Sequence, residues 1–210
     1  MRLLELFSGT GSVKKAVGDL FDEVVSIDIL QKYSPTECCD ILQWDYTKYP
    51  PDYFQTIWAS PPCTEYSKAK TRGVRNLTLA DSIVQRTIQI INYFNPDKWF
   101  IENPQTGLLK DREFMLGIPY VDVDYCKYGY SYRKRTRIWT NVQMNDVLCN
   151  HDCDSIINGR HKGSCGNGYT TDKKTSSIYS GRQYTDRGYD KHEKYSIPLR
   201  LIKDLFHAPQ

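Results

Sequence analysis

Short apolar runs and amphipathic stretches alternate through the first two thirds of the chain. Residues 3–7 form an apolar run that turns glycine-rich in Phe7-Ser8-Gly9-Thr10-Gly11-Ser12, and residues 13–20 follow with a helical pattern. Residues 23–29 are rich in β-branched side chains and carry an acid, Asp28, near their end. Residues 54–59 read as a third strand, stopped by Pro61 and Pro62. Between residues 81 and 94, Ile83, Val84, Ile88 and Ile91 recur at helical spacing. Thr78 and Asp81 are the expected capping pair of that helix, and Asn95-Pro96 its stop. Residues 99–101, 121–125 and 137–140 read as three more strands. Strands and helices alternating over short turns predict an α/β fold with a doubly wound sheet.

Near Met144 the texture changes. As far as Lys194, Gly, Asn, Asp, Ser, Thr and Tyr dominate and apolar periodicity disappears. Residues 195–206 then read as a final amphipathic helix returning to the core. The expected organisation is a domain over residues 1–141, an irregular insert over 142–194 and a terminal helix within 195–210.

Composition narrows the class without naming a function. The chain has 210 residues, of which 40% are hydrophobic and 25% charged, which excludes a disordered chain and provides for one real core. No apolar run approaches the ~18–20 residues of a membrane helix, so no membrane partner is expected. A net charge of +3 does not by itself argue for a polyanionic partner. Seven cysteines, an odd number, together with no export signal, point to a reducing intracellular setting and to thiols, metal ligands or a nucleophile.

Four segments carry chemistry. In the first, Gly9 and Gly11 lie between a strand and a helix whose N–H groups could face a ligand, with Asp28 one strand later to take ribose hydroxyls. The third glycine of the dinucleotide fingerprint is missing, which favours another nucleoside cofactor, while a plain tight turn is the rival reading. In the second, Ser60-Pro61-Pro62-Cys63 sits at a strand's C-terminal end, where α/β folds bind ligands. A thiolate there is a candidate nucleophile; a buried structural cysteine is the alternative. In the third, Glu102-Asn103-Pro104 ends another buried strand, where a carboxyl can be held neutral and donate a hydrogen bond, or merely cap a loop. In the fourth, Arg133, Lys134, Arg135 and Arg137 put four cations into five residues. Strand alternation would place the three arginines on one face, for phosphate or base contact or simply for water.

Taken in order, these segments resemble the cytosine-C5 DNA methyltransferase family. The resemblance runs through residues 4–12, 26–29, 39–41, 59–67, 100–104 and 133–139. It implies a class I, Rossmann-like methyltransferase sheet and S-adenosylmethionine as cofactor. Phe7, Ser8, Gly9, Thr10, Gly11, Ile29 and Pro62 would line the cofactor site, Asp28 would hold the ribose, and Asp40 with Ile41 would meet the adenine. Cys63 would attack C6 of a flipped-out cytosine, Glu102 would bond N3 and the exocyclic amine, and Arg135 and Arg137 would hold the base and the cysteine loop. Residues 64–80, with Ser67, Lys68, Lys70, Arg72 and Arg75, would form a mobile loop over the base, and they and Arg133 would meet DNA. Double-stranded DNA is the expected partner, with single strands as an alternative. The reading also expects a monomer, cytoplasmic or nucleoid-associated, of a size that would suit a virus or phage. An RNA cytosine methyltransferase and a silent binding module of the same fold are the rivals.

Three departures from the family pattern stand out. Pro104 replaces the usual Val after Glu-Asn, and Arg133 replaces the Gln that precedes the two arginines. The recognition region is short, and Tyr195-Ser196-Ile197-Pro198 replaces a Gly-Asn-Ser segment. A short recognition region predicts a short or degenerate target, because base-edge contacts carry sequence information. Within the insert, Cys149, Cys153, His161 and Cys165 form a candidate structural zinc set, the alternative being plain thiols in a polar loop.

Overall fold

The computed structural model describes residues 1–163 and 196–209. Its strands are β1 (Arg2–Leu6), β2 (Glu23–Asp28), β3 (Glu37–Cys38), β4 (Thr56–Ala59), β5 (Lys98–Pro104), β6 (Tyr120–Asp124) and β7 (Arg135–Thr140). They form one sheet in the order β3-β2-β1-β4-β5-β7-β6. β7 runs antiparallel to both β5 and β6, and every other pairing is parallel. This is the doubly wound sheet expected from the sequence. The order reverses at β1 and β4, so a crevice opens beyond the C-terminal ends of those strands, where such sheets bind ligands.

Alternation along each strand feeds two cores, one per face. Leu4, Leu6, Ile57, Ala59 and Ile101 pack under helix α2 (Leu77–Phe94) with Val84, Ile90, Ile91 and Phe94. Leu3, Trp58, Phe100, Val121 and Ile138 face α1 (Ser12–Val17) and α3 (Leu199–His207), whose Leu201, Ile202 and Leu205 are fully buried. Phe206 stacks on Phe100, and Lys98 donates to the carbonyls of Phe206 and Ala208 at 2.8 and 2.7 Å, closing the end of α3. No helix among the described residues is long and apolar enough to cross a membrane.

Several boundaries differ from expectation. α1 ends at Val17 and tightens into a 3-10 turn over Gly18–Leu20, shorter than the helix read over 13–20. α2 begins earlier than residue 81 and is capped by Asn76, whose side chain accepts from the Leu79 N–H at 3.0 Å. Asp81 is drawn away from capping by Tyr66 and Arg112, which both donate to its carboxylate. The stop was as expected: Asn95 adopts the left-handed conformation at φ 45° that closes a helix before proline. α3 starts at Leu199, behind Pro198, instead of at residue 195, which lies outside the described residues. The insert is less irregular than its composition suggested, since Ile156–Ile157 (β8) and Arg160–His161 (β9) pair as a small ribbon. Asn158 and Gly159, at φ 51° and 74°, form the turn between them.

Candidate active site

β1 delivers the chain into a turn with three left-handed residues, Phe7 at φ 58°, Gly9 at 46° and Gly11 at 68°. The two glycines take this conformation without the Cβ clash that Phe7 must bear. The turn closes through the Gly11 N–H donating to the Ser8 carbonyl at 2.7 Å. Asp28, from the end of β2, accepts from the backbone N–H groups of Gly9 and Leu30, both at 2.8 Å. It therefore ties β2 to the glycine turn from below.

A cavity of about 420 Å³ opens over this turn. Phe7, Ser8, Gly9 and Thr10 form one wall, Pro62, Cys63 and Thr64 a second, and Glu102, Asn103 and Lys134 a third. Gly11 lines an adjoining hollow that shares Glu5 and the glycine turn. Asp28, Ile29, Asp40 and Ile41 do not line the main cavity. Leu30, Lys32 and Tyr33 supply that side instead. Asp40 caps its own turn by accepting from Leu42 at 3.0 Å, Ile41 is buried in the α2-side core, and Ile29 is exposed.

Glu5 is a wall residue that sequence reading missed, because its alternation within an apolar strand resembles noise. It is buried, and the N–H groups of Val13 and Lys14 donate to its carboxylate at 3.3 Å. Those donors at the start of α1 are thus taken by the protein instead of facing a ligand, contrary to expectation. Burial raises the Glu5 carboxyl from its ordinary 4.5 to about 7, against the lowering effect of the two N–H groups and of Lys14 and Lys15. A raised folded-state pKa favours the folded state only while the group is protonated in both states. Its contribution is whole below about pH 4.5 and is lost as pH rises through about 7. Urea unfolding at a series of pH values should show stability falling by up to about 3 kcal/mol across that window. In Glu5→Gln this fall should be absent.

At the second wall, the two prolines hold the backbone between β4 and Cys63. The Asn103 amide donates to the Pro61 carbonyl at 2.9 Å and fastens this loop to the end of β5. Glu102, one residue earlier and buried, accepts from the Tyr125 hydroxyl at 3.0 Å. The Lys134 ammonium lies 3.6 Å from the same carboxylate oxygen. Tyr125 is fully buried, and burial together with the Glu102 charge pushes its hydroxyl well above the ordinary range, so it acts as a donor. Sequence spacing could not have found Tyr125 or Lys134, because they reach Glu102 across the β5–β7 and β6–β7 pairings.

The three arginines behave differently from Lys134. Arg137 lies opposite Asp122 and Arg135 opposite Asp124 in the β6–β7 register. Each makes a two-pronged pair with the acid facing it, at 2.8 Å for both Arg137 bonds and at 3.1 and 2.9 Å for Arg135. Arg133 also donates to Asp124, at 3.1 Å. Alternation along β7 places Arg135 and Arg137 on one face, and neither lines the cavity that Lys134 reaches.

The loop after Cys63 is partly committed to itself. Lys70 pairs with Glu65 at 2.6 Å, and Arg75 donates to the carbonyls of Glu65 and Lys70 at 2.6 and 2.9 Å. The Ser67 hydroxyl accepts from the Ala69 N–H at 3.2 Å. Lys68 and Arg72 are exposed at the surface. Residues 77–80, expected in the loop, belong to α2. In the insert, Cys149, Cys153 and His161 converge as expected, but the fourth member of the cluster is Cys126. Cys165 lies outside the described residues.

No protein-family model matches the chain. A protein of Frog virus 3 (isolate Goorha), named probable DNA (cytosine-5)-methyltransferase, is 38% identical over 159 residues, which cover 68% of this chain and 72% of the relative. Among solved structures, a protein assigned as a DNA modification methyltransferase encoded within an E. coli prophage aligns over 69% of this chain with a TM-score of 0.49 and 14% identity. A mutant of Spodoptera frugiperda DNMT2 aligns over 71% with a TM-score of 0.49 and 16% identity. The chain spans 49% and 55% of these two structures, and at that distance neither adds to what the viral relative establishes.

Proposed function

The chain belongs to the DNA (cytosine-5)-methyltransferase family, and on that premise we propose that it transfers a methyl group from S-adenosylmethionine to C5 of cytosine in duplex DNA, with Cys63 as nucleophile and the target base flipped out. The observation that carries this reading is a single cavity lined at once by the glycine turn, Cys63 and Glu102.

The residues present fit the cofactor. The cavity falls in the size range of small-molecule sites, about 300–1,000 Å³. Ser8 and Thr10 offer hydroxyls, the left-handed glycine turn lets backbone approach closely, and Tyr33 offers a ring face. Glu5 offers a carboxylate where a cationic ligand would favour its ionised form. When bound, S-adenosylmethionine supplies an electrophilic methyl group. Binding should therefore strengthen as pH rises through about 7, the value of Glu5 without ligand, and Glu5→Gln should flatten that dependence in equilibrium titrations.

Cytosine C5 is a poor nucleophile until C6 is attacked. The Cys63 thiolate adds to C6, and the C5–C6 π electrons move toward N3 to give an enamine whose C5 is nucleophilic. The Glu102 carboxyl gives its proton to N3 and accepts from the exocyclic amine, so the negative charge that would gather on N3 is neutralised as C6 is attacked. Tyr125 and Lys134 orient Glu102 from behind, and Asn103 holds the Pro-Cys loop over the base. After methylation solvent takes the C5 proton, its electrons restore the C5–C6 double bond, Cys63 departs from C6 as a thiolate, and the N3 proton returns to Glu102. A stacked base cannot receive this attack, so flipping is required. Arg135 and Arg137 support the reaction from the far face of β7, holding that strand against β6.

Lys68 and Arg72, exposed on the loop, are the cations available to phosphates, whereas Lys70 and Arg75 shape the loop. Lys68→Ala and Arg72→Ala should each lower the log–log salt slope of duplex binding by about one. A slope unchanged in both would remove the loop from the DNA interface. The reaction itself is tested by expression in a bacterium lacking cytosine methylation, followed by bisulfite sequencing. Protected cytosines with the parent chain and none with Cys63→Ser are expected, and the protected positions define the target sequence. Unprotected DNA from folded protein would overturn the reading and turn attention to RNA from the same cells.

A further inference from the structure

The sulfur atoms of Cys126, Cys149 and Cys153 and a ring nitrogen of His161 all lie within 4.8 Å of one another. Cys126 follows β6, in the 3-10 turn Tyr125–Tyr128, and the other three belong to the insert. In a tetrahedral zinc site, Zn–S bonds of about 2.3 Å and Zn–N bonds of about 2.05 Å set the ligand atoms roughly 3.6–3.8 Å apart. Cys149 Sγ and His161 Nε2 are 3.5 Å apart, close to the separation a shared ion would impose.

The backbone supports this arrangement from both sides. Asp152 accepts from the Asn150 N–H at 3.1 Å, and His151 turns left-handed at φ 63°, folding Cys149 and Cys153 into a tight knuckle. The Asn158-Gly159 turn brings β9, and with it His161, back over that knuckle. Lys127, next to Cys126, pairs with Asp152, next to Cys153, at 2.9 Å, so the two segments are already clamped together. Cys126 and Cys149 are buried, as structural ligands are. Among its described residues the insert adds Val142, Met144 and Val147 to the core beside α3, and a metal would add to the stability these supply.

We propose that Cys126, Cys149, Cys153 and His161 bind one structural zinc ion, which staples the insert to the catalytic sheet. Binding releases three thiol protons to solvent, leaves the histidine neutral, and gives a closed four-ligand site with no open position for catalysis. The staple also bears on the arginine strand. The Cys149 N–H donates at 2.9 Å to Asp124, the carboxylate that pairs with Arg133 and Arg135. An ion holding Cys149 therefore also holds the acid on which the start of β7 rests.

The site is distinguishable from a set centred on Cys165. Metal analysis of the full chain, purified without added chelator, should find one zinc per chain, and cobalt(II) exchanged into the protein should show thiolate-to-cobalt charge-transfer absorption. Cys126→Ser should lose the metal, Cys126→His should retain it as a two-cysteine, two-histidine site, and both Cys165→Ser and Cys63→Ser should keep the full zinc content. Folded wild-type protein that carries no zinc and shows no cobalt charge-transfer band would overturn the proposal. So would loss of metal in Cys165→Ser with retention in Cys126→Ser. Metal content is read independently of methyl transfer, so failure here and failure of the catalytic reading give different results.

Discussion

Cys63→Ser is expected to lower methyl transfer to cytosine by at least about 10⁴-fold, the scale on which removing a covalent nucleophile acts. A serine hydroxyl stays protonated where a thiol ionises readily. It is far less nucleophilic than a thiolate, so addition to C6 fails. The substitution removes little volume from a half-buried loop position whose backbone is fixed by Pro61, Pro62 and Asn103. Cofactor binding and thermal stability should therefore stay at the parent level. Single-turnover assays with a labelled methyl donor measure the first, and calorimetry and equilibrium titration the second. Transfer within tenfold of the parent would remove Cys63 from the mechanism.

The second large effect is expected for Glu102→Gln, a loss on the order of 10²–10⁴-fold in kcat, as for a positioned acid–base group. The amide keeps the shape of the carboxyl and an acceptor for the Tyr125 hydroxyl. It cannot give a proton to N3 and take it back. KM for DNA should change little, because the interaction matters when charge develops on the ring and not when the base first docks. Tyr125→Phe offers a graded comparison: it leaves the Glu102 carboxyl in place but unanchored on that side and should cost less. A Glu102→Gln variant that raises KM with kcat intact would make Glu102 a docking residue rather than a catalytic one.

Arg135, Arg137 and Lys134 show how far local sequence reading reaches. Four cations in five residues mark a functional strand, and period-two alternation correctly puts the arginines on one face. Which face looks into the cavity depends on the partners of β7, and those partners come from β5 and β6. Asp122 and Asp124 neutralise the arginines only because the antiparallel register sets them opposite Arg137 and Arg135. Asp28 and Glu5 illustrate the same limit. Asp28 at its strand end stands out in the sequence, and the structure adds that it holds the Gly9 and Leu30 N–H groups, while Glu5, hidden in an apolar run, lies on the cavity wall.

The sequence by itself determined the class of fold, the crossing of apolar strands with amphipathic helices, and the four short segments whose order marks the family. These are properties of adjacent residues: side-chain period, glycine and proline placement, and a thiol or carboxyl at a strand's C-terminal end. Only the tertiary structure decided which groups share the cavity, which cations are already paired, and that Cys126 joins Cys149, Cys153 and His161. Each of those facts depends on contacts between segments brought together by strand pairing. The contact energies that select them come from burial and charge complementarity between distant residues, which spacing along the chain does not encode.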